Sequence, residues 1–247
     1  YDLGSLGRDY VGIGKNEAVL KETADLWGVD HKAEMYKLPA MYVGEYAEQD
    51  ADLTLKLWQE MKKQMYHEDV EDIFKLETEL FPCLVDMRFL GVRVDTQAAY
   101  ELKQQLIEEE KECLYKVKKE TSVDVQIWAA RSIEKVFQKL NLPYDLTAKT
   151  GSPSFTKNFL QNHPHPLVKQ IARAREINKS HTTFIDTILK HQHKGRIHAE
   201  INQIRSDSGG TVTGRFSYNN PNLQQIPARN KELGPRIRSL FIPEEGC

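Results

Sequence analysis

Apolar side chains recur at helical spacing through the first half of the chain, which predicts a series of amphipathic helices. One predicted helix covers residues 42–66 and the next covers about 70–89. A third, over about 97–120, is so rich in Glu and Lys that we interpret it as a solvated helix with ion pairs along its surface. The apolar stripes of the first two helices carry Tyr46, Leu53, Leu57 and Met61, and then Leu76, Leu80, Leu84 and Met87.

The sequence LGVRVDT marks a boundary between the second and third of these helices. Gly91 can adopt the left-handed conformation that ends a helix, and residues 92–94 read as a short strand. Asp95 or Thr96 then has a side chain suited to cap the next helix. The side chains expected to pack in the core of this region are Leu76, Leu80, Leu84 and Val94.

The second half of the chain mixes helices, short strands and loops. Helices are predicted around 129–140 and 166–190, and another is expected to be capped near Ser154. Alternation over 195–205 predicts a strand, and residues 237–243 are a second candidate strand. The pattern as a whole indicates a helix-rich α+β fold.

Composition is that of a globular protein, with 40% hydrophobic and 28% charged residues among 247. No apolar run approaches the roughly 18 residues needed to cross a bilayer, and the chain does not open with the pattern of a signal peptide. The three cysteines, Cys83, Cys113 and Cys247, form neither a disulfide framework nor a CxxC metal motif. These features predict a reducing, cytoplasmic setting with no membrane partner.

Charge is distributed unevenly along the chain. Residues 161–240 contain 13 Lys and Arg against 5 Asp and Glu, a net +8, whereas the rest of the chain carries −10. Six of the eight histidines lie in the same stretch. A basic part joined to an acidic part is expected where one region grips phosphates, although ordinary scatter of charge is the alternative.

Residues 211–230 form a loop-rich stretch whose amide and guanidinium groups are suited to DNA. A turn permitted by glycine presents Arg215, whose fixed fork of donors fits purine N3 or thymine O2 in a minor groove. Asn222, Gln224 and Gln225 add amide donors and acceptors. A polar surface loop without a ligand is the alternative interpretation.

A second candidate site lies in YAEQDADLTL on the first predicted helix. Tyr46 and Asp50 are four residues apart and therefore share a helix face. A carboxylate can hold a divalent metal while a phenol orients the attacking water, as phosphodiester hydrolysis requires. The same spacing also occurs on many amphipathic helices without a catalytic role.

The ordered motif TGRFS followed by NPNLQQIPAR closely resembles the pattern of family A DNA polymerases. The resemblance implies that Arg215 touches the primer end in the minor groove. It implies that Asn222, Gln224 and Gln225 contact template and primer. It also places Arg229 close to the junction of primer and incoming nucleotide. Such degenerate minor-groove contacts suit an enzyme that must hold every sequence alike.

YAEQDADLT resembles the third motif of the proofreading exonuclease domains in this family. The resemblance implies that Asp50 is a metal ligand and that Tyr46 orients water. Asp52 is the second candidate carboxylate, but its spacing does not fit the motif. LETELFPCLVDMRFLGVRVD resembles the segment that leads from the exonuclease to the polymerase domain.

Two further stretches resemble elements of the polymerase thumb. KTGSPSF matches a thumb loop, and INKSHTTFID matches the thumb helix that follows duplex DNA. The phosphate contacts implied there are Lys179, Ser180, Thr182 and Thr183. A solvated helix face is the alternative for each of these residues. The chain departs from the family at Pro235, where a basic residue is usual, so no nucleotide-binding role is assigned to Arg236.

The resemblance implies an internal piece of a polymerase of phage type. Residues 1–66 are expected to end an RNase H-like 3′–5′ exonuclease domain, 67–195 to form a connecting helix and the thumb, and 196–247 to begin the palm. The other exonuclease carboxylates, the catalytic palm Asp and the finger helix are expected outside this stretch, so the piece alone is expected to be inactive.

The implied function of the parent enzyme is DNA synthesis in replication, with proofreading. The implied partners are primer–template DNA and deoxynucleoside triphosphates, the implied cofactor is Mg²⁺ in two-metal sites, and the implied location is the host cytoplasm; the sequence does not identify a processivity factor. Two other classes of protein fit parts of the sequence. A stand-alone exonuclease of the RNase D type accounts for Tyr46 and Asp50, and a non-enzymatic DNA-binding module accounts for the basic half.

Overall fold

A computed structural model shows two compact units. It describes residues 2–204, 209–228, 230–244 and 246. The first unit comprises Tyr1–Cys83 and Gln203–Val212, and the second comprises Leu84–Asn202 and Thr213–Cys247. The described residues are predominantly helical with short strands, which confirms the helix-rich prediction. None of the described helices combines the length and the apolar character needed to cross a membrane.

The first unit is helical. Its elements are α1 (Leu3–Leu6), a π-helical turn (Gly7–Val11), α2 (Ala18–Trp27), a 3-10 turn (Met35–Lys37), α3 (Ala40–His67) and the first part of α4 (Glu71–Leu90). A small core forms from Leu20, Ala24 and Leu38, with Tyr46 packed against it. Leu53 is buried because the π-helical turn brings the backbone of Gly7 close to it.

The helix predicted over 42–66 is confirmed as α3, and its stripe is buried at Leu53 and Leu57. The stripe of α4 is only partly buried. Leu84 is 6% exposed, whereas Leu76 is 57% exposed, so the prediction of a core role for Leu76 is wrong. An apolar stripe is buried only where another element covers it, and the spacing of residues along one helix cannot show how far that cover extends.

The second unit holds the larger core. Its helices are α5 (Thr96–Thr121), α6 (Ala130–Lys139), α7 (Lys157–Asn162), α8 (Pro166–Lys179), α9 (Asp186–His191) and α10 (Leu233–Arg238), with a π-helical turn (Ser180–Ile185) between α8 and α9 and a 3-10 turn (Leu223–Gln225). Helix α5 packs along α8, and buried residues of both, including Leu106 and Ile171, contribute to one cluster. Phe137 is fully buried, with its ring centroid 4.8 Å from that of Phe155.

Short strands complete the second unit. They are β1 (Val92–Arg93), β2 (Asp145–Leu146), β3 (Pro153–Ser154), β4 (Gln192–His193), β5 (Arg196–Ile197), β6 (Glu200–Asn202) and β7 (Ser217–Asn219). The sheet order is β1-β5-β4, and β2 pairs with β3 and β6 with β7, all antiparallel. Gly91 ends α4 at φ +69°, and a Cβ there would lie 2.8 Å from the ring of His198. Both facts explain why glycine precedes β1.

The structure corrects three sequence predictions in the second unit, although the helix expected near Ser154 is present as α7 and only its cap differs. Helix α7 is capped by the Thr156 hydroxyl, which accepts from the Phe159 amide, whereas Ser154 lies in β3. The strand predicted over 195–205 is divided into β5 and β6, and its last position, Arg205, lies outside the described residues. Residues 237–243 do not form a strand: α10 ends there, and Phe241 makes only an isolated bridge with Val94.

Helix α5 begins at the predicted Asp95 cap, where Asp95 Oδ1 accepts from the Ala98 amide at 2.9 Å. Loss of this acceptor leaves an orphan donor at the helix start. We expect Asp95→Ala to lower the free energy of unfolding by about 0.5–2 kcal/mol, measured by urea denaturation of the 247-residue chain. Asp95→Asn keeps a side-chain acceptor and is the control. Equal stability of the two variants would contradict a capping role.

Candidate functional site

A cleft lined by both polar and apolar residues lies in the second unit, and we refer to it as the polar cleft. It has a volume of about 240 Å³ and is lined on one side by the stretch from the π-helical turn through α9, and on the other by residues 220–223, 225 and 226. Apolar residues such as Ile188 and Leu223 contribute to its lining. The polar side chains on its two walls are Thr183, Thr187 and His191, and Asn220, Asn222 and Gln225.

The polar cleft brings together residues that are far apart in the sequence. Thr183 belongs to the motif INKSHTTFID, and Asn222 and Gln225 belong to NPNLQQIPAR. All three are exposed. The Asn222 carboxamide oxygen accepts from the Gln224 amide at 3.1 Å and so caps the 3-10 turn that carries Gln225. The structure therefore places the two motifs on facing walls of one cleft.

Gln224 lies apart from the other two amides. Its Nε2 donates to the Phe216 carbonyl at 2.9 Å, and it lines a second cavity of about 280 Å³ together with Tyr218 and Ile201. Arg215 is exposed in the loop that precedes β7. Arg229 lies outside the described residues.

The predicted phosphate contacts on the thumb-like helix differ in accessibility. Lys179 and Thr182 are exposed, and the Thr182 hydroxyl donates to the Asn178 carbonyl at 2.7 Å. Ser180 is 4% exposed, and its hydroxyl donates to the Glu176 carbonyl at 2.8 Å. The role predicted for Ser180 does not fit this geometry, because a phosphate cannot reach a buried hydroxyl.

A network of polar side chains that the sequence did not indicate involves α8 and the π-helical turn that follows it. The Glu110 carboxylate lies 2.6 Å from His181 Nε2 and accepts at 3.1 Å from Asn178 Nδ2. Trp128 Nε1 donates to the Asn178 carboxamide oxygen at 2.9 Å. These bonds join α5 to α8 and the π-helical turn, and they orient the helix that carries Lys179. Asn178 is 68 positions from Glu110 along the chain and His181 is 71, so no local pattern indicates them.

Arg236, to which the sequence assigns no nucleotide-binding role, makes contacts within the protein. Its Nη2 lies 2.8 Å from Glu109 Oε1 and 3.4 Å from the Gln105 carboxamide oxygen. Glu109 also lies 3.7 Å from Arg173, which pairs with Glu232 as well. In this structure the arginine therefore ties α10 to α5.

The first unit contains a cluster formed by Tyr46, Asp50 and Lys15. Lys15 Nζ donates to the Tyr46 phenol oxygen at 2.6 Å and lies 2.7 Å from Asp50 Oδ2. Asp50 Oδ1 is buried and makes no hydrogen bond within the described part of the chain. The structure thus confirms that Tyr46 and Asp50 share one face of α3, and it adds a lysine that the sequence did not indicate.

The electrostatics of this cluster favour a charged lysine. Burial by itself lowers the pKa of Lys15, but hydrogen bonds to Asp50 and Tyr46 outweigh burial and leave the pKa above the ordinary lysine value. The ammonium therefore remains protonated at neutral pH and neutralises one oxygen of the Asp50 carboxylate.

The Asp50 carboxylate fits one position in the coordination shell of a magnesium ion. Magnesium prefers oxygen ligands, and Asp50 Oδ1 is a buried oxygen without a partner among the described residues. The part of the chain that the structure describes contains no group of three or more His, Cys, Asp or Glu side chains able to hold a metal. These residues therefore supply a single ligand and not a complete site.

The fold is similar to part of a polymerase domain. The chain superposes on the POL domain of Pol1 from M. smegmatis, in complex with DNA primer-template and dNTP, with a TM-score of 0.72. The likeness covers all of this chain and 39% of that chain at 22% identity, so it establishes the fold alone. Residues 96–247 match the family described as DNA polymerase family A, and the chain belongs to this family.

Curated relatives are polymerases of phages and bacteria. A DNA-directed DNA polymerase of Pseudomonas phage M6 is 32% identical over 256 residues, and DNA polymerase DpoZ of Vibrio phage phiVC8 is 31% identical over 261 residues. Each match covers all of this chain, and the chain spans 38% and 41% of the two relatives. The thermostable DNA polymerase I of Thermus aquaticus is 35% identical over 70% of this chain and 21% of its own length.

The family predicted from the sequence motifs is confirmed. The family match also leaves the stand-alone exonuclease and the non-enzymatic binding module without support. The residue roles and the division into exonuclease, thumb and palm segments stay predictions.

Proposed function

We propose that this chain is the part of a DNA-directed DNA polymerase that holds primer–template DNA beside the site of synthesis. The observation that carries the proposal is the polar cleft, where two motifs from distant parts of the chain face each other. Thr183 on one wall and Asn222 and Gln225 on the other present exposed hydroxyl and amide groups. Hydroxyl and amide groups of this kind bind phosphates, sugars and minor-groove base edges without demanding one sequence.

The charge of the surrounding sequence supports the same proposal. Lys179 and Arg215 are exposed cations within the stretch that carries +8. Lys179 and Thr182 are proposed to contact backbone phosphates, and Arg215 is proposed to bind the minor groove at the primer end. Ser180 is omitted because it is buried. Gln224 and Arg229 remain proposed DNA contacts through the motif that contains them.

The proposed parent enzyme also removes mispaired 3′ ends. In this proposal Asp50 holds one of two magnesium ions and Tyr46 orients the attacking water. Magnesium, when bound, polarises the phosphate and activates water. Deoxynucleoside triphosphates are the proposed substrates of the intact polymerase, and the cytoplasm of a phage host is its proposed location. The proposed division of the chain assigns residues 1–66 to the exonuclease domain, 67–195 to the connecting helix and thumb, and 196–247 to the palm.

The polar cleft is tested by DNA binding of the 247-residue chain. We expect Asn222→Ala and Gln225→Ala each to weaken binding of a fluorescent primer–template hairpin about 5-fold, or roughly 1 kcal/mol, because each removes hydrogen bonds to the duplex. Fluorescence anisotropy gives the dissociation constant, which should also rise with salt concentration.

The matched control for this experiment is Gln104→Ala, at an exposed position on α5 outside the polar cleft. The control should bind like the unmodified chain. If Gln104→Ala weakens binding as much as Gln225→Ala, the contacts are not localised to the polar cleft and the proposal is wrong. The proposal is also wrong if all variants bind the DNA with the same affinity as the unmodified chain.

A further inference from the structure

Lys15 lies between the two side chains of the proposed excision site. Its ammonium is 2.6 Å from the Tyr46 phenol oxygen and 2.7 Å from Asp50 Oδ2, and its side chain is 18% exposed. The lysine is 31 residues before Tyr46 and belongs to no part of the YAEQDADLT motif. An ammonium group that bonds both members of a candidate catalytic pair influences the position of both.

The segment that carries Lys15 is itself anchored on α3. The Asn16 amide donates to the Gln49 carboxamide oxygen at 2.9 Å, and the Asn16 side chain accepts from the Ala18 amide at 3.1 Å at the start of α2. These two bonds hold Asn16, the residue that follows Lys15, in place. The lysine therefore reaches its partners from a held backbone and not from a free loop.

We propose that Lys15 is a positioning residue of the excision site, an inference that rests on the proposed excision function. By binding Asp50 Oδ2, the ammonium holds the carboxylate so that the other oxygen, Oδ1, is left for the metal ion. The same ammonium donates to the Tyr46 oxygen, so the phenol hydrogen is free to point to another acceptor, such as the attacking water. Lys15 thus sets the orientation of both groups without contacting the substrate.

The consequence is a specific kinetic effect. Without Lys15 the Asp50 carboxylate and the Tyr46 phenol can rotate, so fewer enzyme molecules hold them in the productive arrangement. Partners that orient metal ligands typically contribute about 10- to 100-fold to activity. For excision of the terminal nucleotide, we expect Lys15→Met to lower the turnover rate kcat about 10-fold and to change KM for DNA less than about 3-fold.

Kinetics are measured in the polymerase that contains residues 1–247, with primer extension as a test of folding. Lys15→Arg keeps a cationic donor and should restore part of the lost turnover rate. The matched control is Lys56→Met, also in the first unit, where the lysine pairs with the surface carboxylate of Asp52 at 2.7 Å. The control should excise 3′ ends at the unmodified rate.

The contact is also tested without turnover, on the 247-residue chain. Acetic anhydride labelling read by mass spectrometry should modify Lys15 more slowly than the exposed Lys62, because the Lys15 ammonium is bonded and mostly covered. Asp50→Asn should accelerate labelling of Lys15 and leave Lys62 unchanged. Equal labelling of the two lysines in the unmodified chain would overturn the proposal, even if Lys15→Met failed to fold.

Comparison of the Asp50 and Lys15 variants separates the role of Lys15 from the function on which it rests. If Asp50→Ala retains excision, the excision function itself is wrong. If Asp50→Ala abolishes excision while Lys15→Met keeps the full turnover rate, only the role of Lys15 is wrong. A slower turnover in Lys15→Met with partial recovery in Lys15→Arg, together with slow labelling of Lys15, supports the proposal.

Discussion

Asp50→Ala should reduce the removal of mispaired 3′ ends at least about 100-fold in the polymerase that contains residues 1–247, because a metal ligand contributes several kcal/mol to stabilisation of the transition state. The expectation rests on the buried Asp50 Oδ1, which has no hydrogen-bond partner in the described residues, and on the adjacent Tyr46. The measurement is the rate at which a labelled, mispaired primer end is shortened.

Asp52→Ala is the matched control for this experiment. Asp52 lies two residues further along α3, is exposed, and pairs with Lys56 at the surface. It should retain excision, and both variants should extend a correctly paired primer at the unmodified rate. Unchanged excision in Asp50→Ala would refute the assignment, and a loss confined to Asp52→Ala would move the site to the neighbouring carboxylate.

Arg215→Ala should weaken extension of a correctly paired primer by about 1–3 kcal/mol in transition-state terms. The guanidinium is a rigid fork of donors, and its removal leaves the acceptors of the minor groove at the primer end without a partner. The measurement is kcat/KM for single-nucleotide extension, compared between matched and mismatched primer ends. We expect the variant to discriminate less between the two ends as well as to extend the matched end more slowly.

Arg131→Ala, on the exposed face of α6, is the control for loss of an arginine as such. It should lower extension far less than Arg215→Ala. Normal extension together with normal mismatch sensitivity in Arg215→Ala would contradict a role at the primer end. Arg215→Lys keeps the charge and loses the planar fork, so a defect in that variant would assign the effect to geometry.

Local signals in the sequence predicted most of the helices. The stripe through Leu53 and Leu57 indicated α3 to within two residues at each end, because the spacing of apolar residues shows which face of a helix is buried. Gly91 and Asp95 marked the end of α4 and the start of α5, because each fills a backbone position with special requirements.

Predictions failed where the deciding residues lie outside the segment from which the prediction was made. Residues 237–243 contain enough apolar side chains to suggest a strand, but Leu233 and Ile237 are four residues apart on α10, which places them on one helix face, and both are buried. The wider spacing that begins at Leu233 favours α10 over a strand. Leu76 was expected in the core because its own helix gives it a place on the stripe, yet it is largely exposed.

In the candidate site, too, residues that are close in the sequence were predicted, whereas contacts between distant residues were not. Tyr46 and Asp50 were predicted because they lie on one turn of one helix, and Asn222 and Gln225 because they belong to one motif. The lysine at position 15 and the Glu110–His181 pair were missed, because their partners are 31 to 71 residues away and only the folded chain brings them together. Motif spacing reports neighbours along the chain and not neighbours in space.

The π-helical turn at Ser180–Ile185 sets the rotational phase of the side chains on α9, the helix that continues from it. A π turn holds more residues than an α turn, so it can release one and still close as an ordinary helix. Each later side chain would then swing by about 100° around the helix axis. Thr187 and His191 would leave the wall that they now form. In this stretch, a single-codon deletion would preserve the helix while dismantling the surface that it presents.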